Sequence, residues 1–234
     1  MLYIVATPIG NLKDISLRAI ETLKACDFII AENPHYSRRL LEYIDRSLSQ
    51  NDATSPSPQK ERAWVVFAEH NEQQIVKDIT RRLTKENGCL ITDAGTPGIS
   101  DPGFRLVREC IKENVAVVPI PGPSAVITAL CASGLPTDKF LFLGFLQKTA
   151  FKVIESLESA KQAEATAIFY ESPERILKTL NFINNAFPTA QVVIARELTK
   201  IHEEFIRGNP QQVLDQLKER ASIKGELTIM ISFK

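Results

Sequence analysis

The sequence carries no charge imbalance. Lysine and arginine together number 28, aspartate and glutamate together 28, and the formal net charge is zero. That argues against a broad electrostatic grip on a polyanion while leaving room for a local basic groove. The four cysteines, Cys26, Cys89, Cys110 and Cys131, include no CxxC pair, and each stands in an apolar run. They read as free core thiols of a reducing compartment, not as metal ligands or disulfides. His35, His70 and His202 lack the HExxH spacing, so no metal site is expected. No apolar run approaches the length of a membrane span. The opening MLYIVATPIG has no basic n-region and no cleavage signature, and it reads as a strand. A cytoplasmic protein without membrane association is expected. There is no internal repeat, no GxGxxG fingerprint and no P-loop, which speaks against the ordinary dinucleotide and nucleotide triphosphate sites.

What is present is alternation. In 234 residues, 44% of them hydrophobic, strand-like runs alternate with helical ones, which predicts an α/β protein. LYIVA (2–6) ends at Pro8 and Gly10. The stretch 14–26 places Ile15, Ala19, Leu23 and Cys26 on one helical face, with Asp14 available to cap its first turn. DFIIAE (27–32) is a second strand and 37–44 a second helix. The polar tract 45–63, with two close-set prolines, reads as a long structureless insertion. A strand at 63–68 precedes an amphipathic helix over 71–87 that Gly88 would end. CLIT (89–92) is the next strand, and Asp101 and Pro102 would cap and open the helix that follows. After VAVVPI (115–120) and the apolar helix within 121–134 the character changes. Strands at 140–145, 165–170, 191–195, 203–207 and 226–232, with helices at 151–161, 173–184 and 210–219, suggest partly antiparallel pairing. The boundary is placed near 120, giving domains 1–120 and 121–234.

Two strand-to-helix turns stand out as ligand cradles: ATPIGN (6–11) and TDAGTPGISD (92–101). The block from Ile91 to Gly103 holds three glycines and two prolines and almost nothing that could pack a core. Loops at the carboxyl ends of strands are where open α/β sheets bind small molecules, and glycines let the backbone come close to a ligand. A third Gly-Pro turn, PGPSA, follows the strand at 115–120.

These turns also carry a resemblance. LYIVATPIGNLKDISLRAIETLK, FAEHNEQQ, LITDAGTPGISDPG, VPIPGPSAVITAL, SGLP, FLGFL, IFYESPERI, ARELTK and KGE occur in the order of the bacterial ribosomal RNA small subunit methyltransferase I family, of the tetrapyrrole methylase superfamily. The likeness spans nearly the whole chain apart from 45–63. It implies two α/β domains with a cofactor cleft between them and usually a homodimer. The activity implied is S-adenosylmethionine-dependent methylation of the ribose 2′-hydroxyl of a cytidine in 16S rRNA, free or in the assembled small subunit. Cofactor contacts carried over by motif are Pro8, Ile9 and Gly10; Gly95, Thr96, Pro97 and Ile99; Ser124 and Ala125; and Tyr170 with Glu171. One segment departs: the family usually has AEDTR where this chain has AENPHYSRRLL. Glu32 is kept, while Asn33, Pro34 and His35 replace Asp, Thr and Arg. Either activity persists with Arg38 or Arg39 supplying charge, or the chain is a paralogue with a changed substrate.

A sulfonium donor is already activated, so the protein must mainly align and exclude water, and no metal is required. A ribose hydroxyl is a poor nucleophile until its proton leaves, which asks for a general base. Candidates are Glu32, Glu197, Lys224 and Glu226, each of which could instead form a structural ion pair. Cations in motif-bearing segments that could hold RNA phosphates are Arg38, Arg39, Arg175, Arg196 and Lys200. Tyr36, Phe145 and Tyr170 could stack on bases. RRLTKEN (81–87) reads as a solvated helix face. Two other functions stay open: a tetrapyrrole methyltransferase acting on a uroporphyrinogen or precorrin, against which the turn TPIGN weighs, and a non-catalytic RNA-binding paralogue.

Overall fold

The computed structural model of the protein describes residues 1–49 and 62–234, and the side chains of these apart from Tyr36 and residues 46–49. The chain divides into two compact units, Met1–Ser124 and Ala125–Lys234.

The first unit runs β1 (Leu2–Val5), α1 (Leu17–Ala25), β2 (Phe28–Ala31), α2 (Pro34–Ser49), β3 (Ala63–Val66), α3 (Glu72–Leu83), β4 (Gly88–Ile91), α4 (Phe104–Lys112) and β5 (Val117–Ile120). Its sheet has the order β3-β2-β4-β1-β5, and every neighbouring pair is parallel. From β1 the chain steps to β2 and on to β3 in one direction, then returns to β4 and passes to β5 in the other. Crossovers between parallel strands are right-handed, so the direction of travel decides which face each helix covers. The packing obeys this. Ala19, Leu23, Leu40, Leu41 and Ile44 of α1 and α2 pack with Ile29, Ala31, Cys89 and Ile91. Ile79, Leu83, Leu106 and Cys110 of α3 and α4 pack with Leu2, Phe28, Ile30 and Leu90. Strands covered on both faces lose polar alternation, and all four residues of β2 and all four of β4 are buried. Each Phe, Ile or Leu among them contributes about 1.5–3 kcal/mol by leaving water.

The second unit runs α5 (Ala125–Ser133), β6 (Phe140–Phe145), α6 (Ala150–Gln162), β7 (Thr166–Glu171), α7 (Ile176–Ala186), β8 (Gln191–Arg196), β9 (Glu204–Gly208), α8 (Pro210–Lys218) and β10 (Leu227–Ser232). Its sheet order is β6-β7-β10-β8-β9. β6 and β7 are parallel, and the remaining neighbours are antiparallel. Alternate residues of the central strands, such as Phe169, Ile194 and Ile229, meet α6, α7 and α8 in a single core.

Several expectations from the sequence need correction. Asp14 does not cap α1. It lies in a short 3-10 turn, and Ser16 caps the helix, its hydroxyl accepting the Ala19 N–H at 3.1 Å. The second helix is longer than 37–44: it opens at Pro34, a first-turn position that proline tolerates, and continues to Ser49. The supposed insertion at 45–63 is therefore helical at its start, and its residues 50–61 lie outside the described residues. Asp101 and Pro102 do not begin α4. Gly103 precedes it, and the carboxylate of Glu72, from α3, accepts the Gly103 N–H at 3.3 Å and pairs with Arg105 at 3.1 Å. A negative charge there complements the helix N-terminus. Cys131 is exposed, whereas the other three thiols are buried.

Gly88 does not end α3 either. The helix stops at Leu83, and Gly88 is the first residue of β4. A methyl group there would stand 2.7 Å from Phe28 Cζ and 2.8 Å from Leu83 Cδ2. Gly88→Ala is therefore expected to lower stability by about 1–3 kcal/mol through overpacking, read as a lower denaturant midpoint. An unchanged midpoint would mean that the Phe28 ring has room to shift.

Candidate functional site

The strand order creates an opening. β4 lies between β2 and β1, but its own helix leaves to the face opposite the helices of those two neighbours. Loops that diverge in this way leave a crevice beyond the carboxyl ends of the strands. Here three turns close around it and hold one another. Thr7 and Gly95 exchange backbone hydrogen bonds, Thr7 N to Gly95 O at 2.8 Å and Gly95 N to Thr7 O at 3.0 Å. The Thr7 hydroxyl donates to Thr92 O at 3.0 Å, and the Thr96 hydroxyl donates to Pro123 O at 3.2 Å. Gly95 has φ +87°, and a side chain there would begin 3.4 Å from Ile9 Cγ2. That distance is an ordinary contact, so it is the left-handed backbone that favours glycine at this point.

Of the predicted cofactor residues, the structure brings together Pro8, Ile9, Gly10, Gly95, Thr96 and Pro97 at this crevice. Pro8, Ile9, Gly95 and Pro97 are buried, Thr96 half-buried, and Gly10 exposed. Ile99 is 47% exposed. Ser124, half-buried, ends the first unit and Ala125 begins α5. A pocket of about 240 Å³ opens beside the turns, lined by Thr7, Pro8, Gly10, Leu12, Ser37, Arg39, Leu40, Thr92 and Asp93. A second cavity of about 220 Å³, near Pro136 and Phe233, includes none of the predicted residues.

Carboxylates gather at the same strand ends. Burial raises Glu32, with Asp93 and Glu69 adding repulsion. Asp93 is raised by burial. Asp101 is pushed up to about 6, first by burial and then by Glu32 and Asp93, against the opposing pull of the Thr92 hydroxyl. A site with this field suits a ligand that brings positive charge or hydrogen-bond donors, as a sulfonium bearing an amino-acid ammonium does. The turns offer such a ligand backbone and uncharged side chains, so the residues present fit S-adenosylmethionine. Sequence reasoning passed over Asp93 and Ser37 and took Asp101 for a helix cap. The one available signal was that TDAGTPGISD carries an acid near each end.

The altered segment after β2 has a local explanation. Pro34 is the first residue of α2, and Asn33 O accepts the Ser37 N–H at 3.1 Å. The replacement thus supplies a helix start. Arg38 and Arg39 on this helix are exposed, and the Arg38 guanidinium lies 5.5 Å from the centre of the Trp64 ring.

In the second unit the predicted residues form two networks. Glu171 is buried; its oxygens accept from the Thr179 hydroxyl at 2.6 Å and the Ser172 N–H at 2.9 Å, and it pairs with Arg175 at 3.3 Å. Arg175 also donates to Leu146 O at 2.8 Å. Tyr170 packs against Phe142 and Phe145, with ring centres 5.1 and 5.5 Å away. The second network joins β8 to the segment before β10. Lys200 reaches Glu197 at 2.8 Å and Glu226 at 3.0 Å, and Glu197 also accepts the Glu226 N–H at 2.9 Å. The Lys200 hydrogen bond, foremost, holds the Glu197 carboxyl below its ordinary range. Glu197 and Thr199 have φ of +53° and +64°, a strained backbone kept in place by these bonds. Arg196 pairs with Glu204 and donates to Lys224 O at 2.9 Å, and Arg220 joins the same carboxylate at 2.5 Å. Glu204 is drawn down to about 2, chiefly by Arg220. Lys224 is exposed, and the Glu226 side chain is 73% exposed.

Residues 1–214 match the tetrapyrrole (corrin/porphyrin) methylases. The chain is 44% identical to the ribosomal RNA small subunit methyltransferase I of Hydrogenobaculum sp. (strain Y04AAS1), over 99% of this chain and 95% of that protein. It is 38% identical to the protein of the same name from Thermotoga maritima, over 100% of this chain and 98% of that one. Among solved structures, a diphthine synthase is similar with a TM-score of 0.73 at 11% identity, covering 99% of this chain and 89% of its own. A cobalt precorrin-4 methyltransferase is similar with a TM-score of 0.65 at 16% identity, covering 99% and 94%. The chain belongs to the tetrapyrrole methylase family, and to the branch of it whose members are named ribosomal RNA small subunit methyltransferase I.

The raised Asp101 carboxyl fixes the sign of a pH effect. Its folded pKa exceeds its unfolded value, so stability falls as pH rises from about 4 through about 6. Asp101→Asn removes the ionisation. Discounting for the exposed part of the group, it is expected to stabilise by about 1 kcal/mol at pH 7, or roughly 2–4 °C in Tm. At pH 4 no gain is expected, and equal gains at both pH values would refute the ionisation argument.

Proposed function

We propose that the chain transfers a methyl group from S-adenosylmethionine to the ribose 2′-hydroxyl of a cytidine in small-subunit ribosomal RNA. The observation that carries this reading is identity of 38–44% with proteins named ribosomal RNA small subunit methyltransferase I, over nearly their whole length in the two cases above. The stitched turns and the carboxylates beside them support it from the structure.

S-adenosylmethionine, when bound, supplies a methyl group already activated by sulfonium. The protein's part is to hold, orient and keep water out. Pro8, Ile9, Gly10, Gly95, Thr96, Pro97 and Ile99 would lie against the donor, with Ser124, Ala125 and Tyr170 as further contacts. Glu171 acts through its bonds to Ser172, Thr179 and Arg175, which fix the end of β7. No metal is called for by this displacement.

Of the four candidate bases, Glu32 is the best placed. It stands at the carboxyl end of β2, and burial, with repulsion from Asp93 and Glu69, raises it above the ordinary carboxylate range and makes it a stronger base. Glu197 is held ionised by its hydrogen bonds, while Lys224 and Glu226 are exposed. Glu32 would take the proton of the ribose hydroxyl, leaving that oxygen free to accept the methyl group that the donor supplies. Arg38 and Arg39, exposed on α2, are the cations offered to phosphate; Arg175, Arg196 and Lys200 are occupied by internal carboxylates. We place the protein in the cytoplasm as a homodimer, which would present the α2 arginines twice and offset the neutral net charge.

Incubation with labelled donor and small subunits lacking the mark is expected to label the RNA. Glu32→Gln is expected to lower kcat by about 10²–10⁴-fold. Absence of label with wild-type protein would overturn the reading. Label with an unaffected Glu32→Gln rate would overturn only the base assignment.

A further inference from the structure

The pocket beside the stitched turns contains polar atoms that the fold leaves unused. Ser37 is 3% exposed, its hydroxyl lines the pocket, and that oxygen has no hydrogen-bond partner among the described residues. Asp93 Oδ1 is likewise buried without a partner. Burying such groups without a bond costs about 1–3 kcal/mol each, so a fold that keeps two of them at one cavity holds them for something that enters it. The remaining walls are Leu12, 40% exposed, Leu40, which is buried, the exposed Arg39, and Thr7, Pro8, Gly10 and Thr92 from the ends of β1 and β4 and the turns that follow them.

We propose that this pocket seats the single unstacked nucleotide that accepts the methyl group, with Ser37 and Asp93 hydrogen-bonded to its ribose, Leu12 and Leu40 against its apolar faces, and Arg39 on its phosphate. The proposal rests on the RNA-methylating reading above and deepens it. Three observations select this occupant over the donor. The volume, about 240 Å³, falls below the 300 Å³ and more of typical ligand pockets. The chemistry pairs a carboxylate and a hydroxyl, which suit sugar hydroxyls, with a guanidinium at the rim, which suits phosphate. The position borders the donor turn, sharing Pro8 and Gly10 with it, and extends away from it along α2, which contributes Ser37, Arg39 and Leu40. A ribose reaching this depth must be turned out of its stack, as with other enzymes that act on single nucleotides.

The test uses the full chain and two probes, cytidine 5′-monophosphate and S-adenosylmethionine, titrated calorimetrically into wild type, Ser37→Ala and Asp93→Asn. Cytidine monophosphate is expected to bind wild type. It should weaken about 3–10-fold in Ser37→Ala and more in Asp93→Asn, with donor affinity unchanged in Ser37→Ala. In the labelling assay Ser37→Ala should raise KM for RNA while kcat holds. The proposal is overturned if wild type takes up no cytidine monophosphate at millimolar concentration, or if Ser37→Ala weakens the donor and leaves the nucleotide alone. If wild type labels RNA and both variants keep their KM, the pocket assignment falls and the methyltransferase reading survives. If wild type labels no RNA, that reading falls by itself, and the nucleotide titration still decides what the pocket holds.

Discussion

The pair of backbone hydrogen bonds between Thr7 and Gly95 is the constraint on which the site depends. It ties the turn after β1 to the turn after β4, two loops whose following helices depart to opposite faces of the sheet. Without that tie the crevice would have two loose lips. With it, the turns carrying Pro8, Ile9 and Gly10 and those carrying Gly95, Thr96 and Pro97 form one surface, and Thr96 extends it to Pro123 by its hydroxyl. The tie needs a residue able to take a left-handed conformation, φ +87°, at position 95, which glycine does without strain.

The surface so formed acquires its chemistry from burial. Glu32 and Asp93 lie at strand ends, and Asp101 lies in the loop that follows β4. Losing water, and repelling one another, these carboxylates hold protons more readily than exposed ones. Such a field suits a ligand that brings positive charge or hydrogen-bond donors. The second unit uses its charges differently. Its acids and bases pair among themselves, Glu204 between Arg196 and Arg220, and Lys200 between Glu197 and Glu226. Those pairs pin the strained turn after β8. Motif residues of the two units thus divide into those left open to solvent or ligand and those that hold the backbone.

Much of this was legible in the sequence, because the hydrophobic runs of a doubly covered parallel sheet are nearly continuous and are hard to mistake. DFIIAE and CLIT read as strands, which the structure forms over Phe28–Ala31 and Gly88–Ile91, and the closely spaced strands after 190 read as partly antiparallel, as they are. The Gly-Pro turns could be located for the same local reason. Helix ends were less legible. Asp14 and Asp101 have good capping chemistry, but the caps are decided by distant partners: Ser16 wins at α1, and Glu72 reaches across from α3 to α4. Gly88 looked like a helix stop because its true constraint, the Phe28 ring, lies 60 residues away in sequence. For the site, motif likeness pointed to the turns at 6–11 and 92–101 but not to Ser37 or Asp93. Their significance is the lack of a partner inside the fold, a property of packing that no sequence pattern records.

The central claim is that a sulfonium donor rests on the surface closed by Thr7 and Gly95. Calorimetric titration with S-adenosylhomocysteine, comparing wild type with Gly95→Val, tests it most directly. The account predicts saturable one-to-one binding by wild type and its loss in a variant that remains folded by circular dichroism. Equal binding by the two proteins, or none by wild type, would contradict it.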